Sequence, residues 1–220
     1  MLQLYLKSMN NDQIIPLLLI SIVIFAGLEQ IFETFILGPR KDKGILKGEK
    51  WTIFGMGTIH ISMFFATLLE YSYKHAPLNL SVSSIGLSMY FLGVFGRYWS
   101  IFTLGRLWSI QIEIRADHKL IKNGPYKLMR HPAYFSLFLK VPSIPLILNS
   151  FFTFYMVLLI YCPLVFIRLY YEEIEMFKTF KKSYVKYRKE RWALIPFSKG
   201  ELISSIAQNI KSLRKILIRW

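Results

Sequence analysis

Three short segments of this sequence place histidine, tyrosine, arginine and carboxylate side chains beside apolar stretches. They run from His118 to Tyr126, from Arg130 to Tyr134, and from Arg168 to Glu173. Such groups are costly at the mouth of a membrane-embedded helix pair, so they seldom occur there without a function. The three segments therefore outline a candidate active site.

The third segment offers charges of both signs. Arg168 and Glu172 are four residues apart, which places them on one face of a helix, whereas Glu173 points away and can serve a separate partner. One helix thus directs a cation and an anion toward one pocket. The competing interpretation is an arginine that reaches for the membrane boundary and forms a solvated salt bridge there.

The first two segments predict a turn and a helix start. Proline favours the first helical turn, so His131 before Pro132 is predicted at a helix N-terminus, where free backbone N–H groups attract anionic ligand groups. The run from Asn123 to Pro125 predicts a turn that presents Tyr126 near the membrane surface. The stretch from His118 to Ile121 favours a short β-like segment whose backbone can contact a planar ligand. Each feature alone is common.

The sequence lacks the motifs that are typical of several cofactor classes. The four histidines show no spacing typical of metal ligands, and we predict no metal site. No glycine-rich dinucleotide or phosphate motif and no nucleophile elbow occurs, so a bound cofactor is not held by a Rossmann domain. Cys162 is the only cysteine, which excludes an intramolecular disulfide and a cysteine zinc cluster.

The composition is that of a membrane protein. Of 220 residues, 54% are hydrophobic, and the mean hydropathy is +0.37, which is typical of one polytopic membrane unit. The net charge of +15 arises from Lys and Arg blocks between apolar runs, as expected of loops that face an anionic leaflet. No groove-reading module is visible, so we expect no nucleic-acid partner.

The chain is predicted to be all-α, with five hydrophobic segments. The fourth is short and contains Pro142 and Pro145, which predicts a kinked or tilted helix that turns at Asn149 into the fifth and forms a helical hairpin with it. The first segment is too long for a cleavable signal and should remain as a helix. The segments are about Ile14 to Leu37, Trp51 to Tyr73, Leu80 to Phe102, Tyr134 to Leu148 and Phe151 to Tyr171.

The basic residues predict the orientation. Lys and Arg number five between residues 40 and 50, one in the second loop, six between 106 and 130, none in the Asn149 turn and twelve after Tyr171. By the positive-inside rule, the N-terminus lies outside and the C-terminus in the cytoplasm.

The residues from Glu201 to Trp220 form a basic amphipathic pattern, which suits either a helix in the membrane interface or one packed on the domain's own cytoplasmic face.

Six ionisable residues fall inside the predicted spans and need partners. Contacts within the helix bundle are favoured, because transport folds show repeats and broken helices that this sequence lacks; an ion or proton route is the alternative. The six are Glu29, Glu33, His60, Glu70, Arg97 and Lys140.

Taken in order, the motifs resemble the isoprenylcysteine carboxyl methyltransferase family and its prokaryotic relatives, and more distantly the membrane phospholipid methyltransferases. The resemblance rests on Leu104 to Ser109, His118 to Tyr126, Arg130 to Tyr134, and Arg168 with Glu172 and Glu173. It covers about residues 97 to 196. The individual motifs are weak, but their order and spacing are specific.

The resemblance implies a methyltransferase that uses S-adenosylmethionine and a lipidic or prenylated acceptor from the bilayer, with carboxyl O-methylation as the reaction. Arg168 and Glu172 would face the transferring methyl group, with Glu173 in support. Alternatives are a phospholipid or amine N-methyltransferase on the same scaffold and a non-catalytic membrane binding protein. The implied cofactor residues are His118, Leu120, Ile121, Gly124, Tyr126, His131 and Tyr134.

The sequence departs from the family pattern at two places. Ser136 stands where the family usually has a glycine and adds a side chain where helices or cofactor approach closely, and the surroundings of Lys140 and Pro142 differ from the usual apolar run.

We expect one membrane domain, with N-terminal spans over 1–96, a methyltransferase-like core over 97–196 and a basic tail over 197–220. The resemblance implies a multi-pass protein of a prokaryotic inner membrane.

Overall fold

The computed structural model describes residues 11–37, 45–46, 50–74, 77–110, 113–114 and 119–194. His118 and the predicted tail helix from Glu201 to Trp220 lie outside these ranges. The fold is all-α, as predicted, apart from one antiparallel pair of two-residue strands, β1 (Ile45–Leu46) and β2 (Glu113–Ile114). The helices are α1 (Asn11–Phe32), α2 (Lys50–Lys74), α3 (Leu80–Leu104), α4 (Pro132–Ile147), α5 (Phe151–Met156) and α6 (Cys162–Glu190).

Four of the five predicted apolar segments form helices that are long and apolar enough to cross a membrane. They cover Gln13–Phe35, Trp51–Lys74, Leu80–Leu107 and Phe151–Glu190, the last comprising α5, a π-helical turn (Val157–Tyr161) and α6. The predicted fourth segment is α4, whose 16 residues extend about 24 Å, less than the roughly 30 Å of a hydrocarbon core. Its shortness agrees with the sequence prediction.

Glycines on α3 permit the closest helix contact of the fold. A methyl group on Gly86 would lie 2.8 Å from the Ile147 nitrogen, and one on Gly93 would lie 2.7 Å from the Lys140 nitrogen. Small residues allow helix backbones in membranes to approach and gain van der Waals contact. The α3–α4 pair is therefore the most extensive helix contact among the described residues.

Ser136 lies on α4 and faces Gly96 of α3. Its hydroxyl donates to the Pro132 carbonyl at 2.8 Å, and a methyl group on Gly96 would lie 2.6 Å from its oxygen. The extra side chain at Ser136 is thus accommodated by the missing side chain at Gly96. Ser136 lies between the helices and does not line the cavity described below.

Buried charges connect α1, α3 and α4. Arg97 donates to Glu33 from Nε at 2.8 Å and from Nη2 at 2.6 Å. The Lys140 Nζ lies 2.6 Å from Glu29 and 3.1 Å from Glu33. Two cations thus face two carboxylates where unpaired charges would be costly. These are the internal contacts favoured by the sequence, and they turn Lys140 away from the cavity.

Glu70 and Asn149 fix the hairpin between α4 and α5. The Glu70 carboxylate accepts hydrogen bonds from the backbone N–H groups of Phe152 and Thr153, and so caps the start of α5. Asn149 makes the predicted turn with a φ of 54°, and its amide nitrogen donates to Ser83 at 2.9 Å. The hairpin is thereby tied to α2 and α3.

The end of α6 folds back on the site. Lys181 has a φ of 44°, which breaks the helix within its length. In a straight helix Tyr184 would lie about 16 Å along the axis from Glu173, yet its hydroxyl donates to that carboxylate. Beyond α6, the carbonyls of Trp192 and Ala193 accept hydrogen bonds from Arg130 and His131, each at 2.9 Å. The chain after Lys181 therefore braces the start of α4.

Candidate active site

One cavity brings together most of the predicted site residues. It lies among α1, α2, the end of α3, the loop before α4, and α6. Gly124 and Glu173 do not line it, and His118 lies outside the described residues. Residues of all three motifs thus line this one cavity. The predicted residues on its wall are Leu120, Ile121, Tyr126, His131, Tyr134, Arg168 and Glu172.

Arg168 is a buried cation on this wall, with 6% of its surface exposed. Its Nη1 donates to the Thr52 hydroxyl at 3.0 Å, and its Nη2 donates to the Ile110 carbonyl. Both of these partners are neutral. A guanidinium has five N–H donors in a planar fork, so Arg168 retains donors for an anionic ligand. Arg168 and Glu172 thus line the same cavity, as their spacing predicted, and each has its own hydrogen-bond partners.

Glu172 is held by two residues from the start of α4. The Tyr134 hydroxyl donates to its Oε2 at 2.6 Å, and the His131 Nδ1 lies 3.6 Å from its Oε1. The hydrogen bond from Tyr134 restricts this carboxylate to one orientation. The arrangement presents negative charge to the cavity.

Glu173 joins the surrounding elements instead of facing the cavity. Its Oε1 lies 2.6 Å from the His131 Nε2 and accepts hydrogen bonds from Arg130 and Tyr184. The separate partner that the sequence predicted for Glu173 is thus a cluster on the α4 entry and the folded-back end of α6. Glu173 thus contacts residues at the edge of the site, and its supporting role in methyl transfer stays a prediction.

The contacts of His131 with Glu172 and Glu173 determine its protonation state. Burial by itself lowers the pKa of His131, but the hydrogen bonds and charges of Glu172 and Glu173 outweigh burial and raise the pKa above its usual range. His131 is the N-cap residue of α4, as predicted, although its side chain does not cap the helix. The ring instead bridges the two carboxylates.

The turn before α4 is present as predicted and forms a short 3-10 helix (Gly124–Lys127). Gly124 has a φ of 54°, and a methyl group there would lie 2.7 Å from the Thr103 hydroxyl. The turn presents Tyr126, and the Tyr187 hydroxyl donates to the Tyr126 carbonyl at 2.5 Å. Burial raises the pKa of Tyr126, so its hydroxyl stays protonated. Residues 119–122 show no regular structure, contrary to the β-like preference of that stretch.

The cavity wall also includes residues that the sequence did not single out as site residues. The Arg97 guanidinium lies 4.6 Å from the centre of the Trp108 ring, and the Trp108 indole N–H is buried without a hydrogen-bond partner among the described residues. Trp108 belongs to the motif from Leu104 to Ser109, which is the signal that could have identified it. Gln30 and His60 come from α1 and α2, where no motif marks them.

Metal binding has no visible site in the described ranges. No three His, Cys, Asp or Glu side chains there lie close enough together to hold a metal ion. His131, Glu172 and Glu173 are close, but their atoms are engaged with one another and with Arg130, Tyr134 and Tyr184. The site is therefore a hydrogen-bonded cluster of ionisable side chains.

Comparison with known proteins found similar sequences. The profile of the isoprenylcysteine carboxyl methyltransferase family matches residues 85–178. An uncharacterized protein of Haemophilus influenzae is 26% identical over 142 residues, which are 64% of this chain and 82% of that protein. Protein-S-isoprenylcysteine O-methyltransferase B of Arabidopsis thaliana is 44% identical over 55 residues, 24% of this chain and 28% of its own.

The fold is also similar to a solved structure. The eukaryotic intramembrane Ras methyltransferase ICMT matches with a TM-score of 0.57 and 24% identity, over 80% of this chain and 60% of that chain. This chain thus spans less than two thirds of the named methyltransferases that it matches. Residues 85–178 of this multi-pass membrane protein therefore resemble the isoprenylcysteine carboxyl methyltransferase family, and the helical fold is similar to that of the solved methyltransferase.

Proposed function

We propose that this protein transfers a methyl group from S-adenosylmethionine to the carboxylate of a lipid-linked acceptor, with an isoprenylcysteine α-carboxylate as the first candidate. Arg168 is the observation that carries the proposal. It is buried on the cavity wall, and its hydrogen bonds among the described residues go to neutral oxygens. A carboxylate would compensate its charge and match its planar fork.

The other side of the cavity fits a sulfonium cofactor. Glu172 supplies negative charge, and Tyr126 and Tyr134 supply aromatic rings, which attract cations. The buried Trp108 N–H is available for a polar atom of the same ligand. Leu120, Ile121, His131 and Tyr134 remain the proposed cofactor residues, with Gly124 shaping the turn beneath them and His118 carried by the family resemblance.

The chemistry requires alignment more than acid–base catalysis. When bound, S-adenosylmethionine supplies an electrophilic methyl group, and a carboxylate oxygen can take it without a base. Arg168 would orient the acceptor, Glu172 would favour the positive donor over the neutral product, and the apolar wall would exclude water. An amine acceptor would instead need Glu172 to take a proton, although its Oε2 already accepts a hydrogen bond from Tyr134.

The same proposal places the site at the cytoplasmic surface of a prokaryotic inner membrane. The basic residues between Lys119 and Arg130 and those between Lys178 and Lys189 of α6 support this orientation, since residues of both segments line the cavity. The N-terminus would then lie outside and the C-terminus inside. A cysteine added at either end of the chain, and labelled by a reagent that does not cross the membrane, tests the orientation.

Cofactor binding is tested by calorimetric titration of S-adenosylhomocysteine into the full-length protein in detergent. We expect micromolar binding by the wild type, loss of binding in His131→Ala, and unchanged binding in Lys178→Ala, whose side chain is exposed. A folded wild type that does not bind would overturn the proposal and leave a non-catalytic membrane protein on the same scaffold. Methyl transfer to phosphatidylethanolamine but not to a carboxylate would favour the amine alternative.

A further inference from the structure

Arg168 is held by elements other than its own helix. Its Nη1 donates to the Thr52 hydroxyl of α2 at 3.0 Å, and its Nη2 donates to the carbonyl of Ile110, which follows α3. Contacts at the two ends of a planar group fix its plane as well as its position. Since each Nη has a second N–H, the guanidinium can still bind a ligand in the cavity that it lines.

Thr52 lies behind Arg168 and is not part of the cavity wall. The wall includes Arg168 and, from the same turn of α2, Ile53 and Met56, but it does not include Thr52. Thr52 is buried, with 1% of its surface exposed. A ligand in the cavity therefore meets the guanidinium and not the Thr52 hydroxyl.

The packing of α2 against α6 brings Thr52 to Arg168. About one turn after Thr52, a methyl group on Gly55 would lie 3.1 Å from the Leu164 Cδ2. Leu164 in turn lies about one turn before Arg168 on α6. The two helices thus run in opposite directions and come close at Gly55, which leaves the Thr52 hydroxyl within hydrogen-bond distance of the guanidinium.

The β1–β2 pair connects the two segments that hold Arg168. Strand β1 precedes α2, and it is hydrogen-bonded to β2, which follows Ile110. The segments that carry Thr52 and Ile110 are therefore tied to each other as well as to the guanidinium. Thr52 and Ile110 thus belong to one connected support for Arg168.

Of these two contacts, the one with Thr52 depends on a side chain. The Ile110 partner is a backbone carbonyl, which a side-chain substitution does not remove. Thr52 also lies before the segment that matches the family profile, which begins at residue 85. The part of the chain outside the family segment therefore contributes a contact to the site, and substitution at Thr52 can remove this contact.

We propose that Thr52 is a positioning residue of the methyl-transfer site, whose hydroxyl holds the Arg168 guanidinium in the orientation that aligns the acceptor carboxylate with the methyl donor. This inference rests on the proposed function. Methyl transfer depends on alignment, and a misplacement of about 1 Å can cost up to a hundredfold in rate. Without the hydroxyl, Nη1 would lose its buried acceptor, and the guanidinium would be free to turn about its contact with Ile110.

Substitutions at Thr52 test the inference, with S-adenosylmethionine and N-acetyl-S-farnesylcysteine as substrates. Thr52→Val keeps the shape of the side chain but removes the hydroxyl. We expect it to lower kcat about tenfold while KM for S-adenosylmethionine stays within about twofold of the wild type. Thr52→Ser restores the hydroxyl and should recover most of the rate.

Thr67→Val is the matched control. Thr67 is a buried threonine of the same helix, and its hydroxyl has no hydrogen-bond partner among the described residues. The same substitution there should leave kcat equal to that of the wild type. Thermal unfolding and titration with S-adenosylhomocysteine identify the folded variants, and Thr52→Ala, which also lacks the hydroxyl, takes the place of Thr52→Val if that variant does not fold.

A double-mutant cycle with Arg168 separates positioning from a role in packing. If Thr52 acts through Arg168, Thr52→Val should change the residual rate of Arg168→Ala by less than about twofold, whereas a packing defect would lower the rate by the same factor in both backgrounds. Equal factors, full kcat in a folded variant without the hydroxyl, or a loss that Thr52→Ser does not relieve would overturn the inference while methyl transfer stands. A wild type that does not methylate a carboxylate acceptor would overturn the proposed function, and the inference with it.

Discussion

The Nε2 atom of His131 lies 2.6 Å from the Oε1 atom of Glu173. This contact links the first residue of the α4 entry to α6, and Tyr184 donates to the same oxygen from the folded-back end of α6. On its other nitrogen, the His131 ring faces Glu172 at the cavity. The state of the His131–Glu173 pair therefore affects both the stability of this region and the position of Glu172.

The first prediction is that thermal stability in detergent depends on the protonation of His131. Because the pKa of His131 is raised in the folded protein, its stabilising contribution is fully present below its unfolded pKa of about 6.5 and is lost as the pH rises through the folded pKa. The melting temperature should therefore fall as the pH rises above about 6.5. Glu173→Gln should melt lower at the acidic end and show a weaker pH dependence; an unchanged slope in this variant would contradict the assignment.

The second prediction concerns Ser136 and Gly96. Gly96→Ala should destabilise the protein by about 1–3 kcal/mol, because the new methyl group meets the Ser136 oxygen. Ser136→Gly should remove most of this penalty when the two changes are combined, as a double-mutant cycle in thermal unfolding would show. Gly57→Ala is the control, since a methyl group there meets no atom within 4 Å. Additive effects at positions 96 and 136 would show that the two residues are not in contact.

The third prediction concerns Lys140 in the bundle. Lys140→Met removes the cation beside Glu29 and Glu33, and loss of one partner from a buried charge group costs about 3–5 kcal/mol. Adding Glu29→Gln should restore part of the stability, because it removes the unpaired charge. If the double variant is no more stable than Lys140→Met, these residues do not form one charge network. Proteoliposomes of the wild type should show no proton flux that depends on Glu29.

Local patterns in the sequence were sufficient for the helices and for part of the site. The apolar runs predict the spans and the short α4, and His131 before Pro132 predicts the helix start, because each depends on neighbouring residues alone. The four-residue spacing of Arg168 and Glu172 places them on one wall for the same reason.

Contacts between distant segments could not be predicted in this way. Nothing near Gly96 indicates that it faces Ser136, and nothing near Lys181 indicates a break that returns Tyr184 to Glu173. The presence of Gln30 and His60 on the cavity wall likewise depends on how α1 and α2 pack against the rest of the helices. Tertiary packing decides these contacts, and a single sequence does not encode it in any local pattern.

The central claim is carboxylate methylation at Arg168, and the most direct test measures the product. The full-length protein would be incubated with S-adenosylmethionine labelled in its methyl group and with N-acetyl-S-farnesylcysteine. We predict a base-labile label that is released as methanol, a loss of at least about a hundredfold in kcat for Arg168→Ala, and S-adenosylhomocysteine binding within a few-fold of the wild type in that variant. A base-stable label, or full activity in Arg168→Ala, would contradict the account.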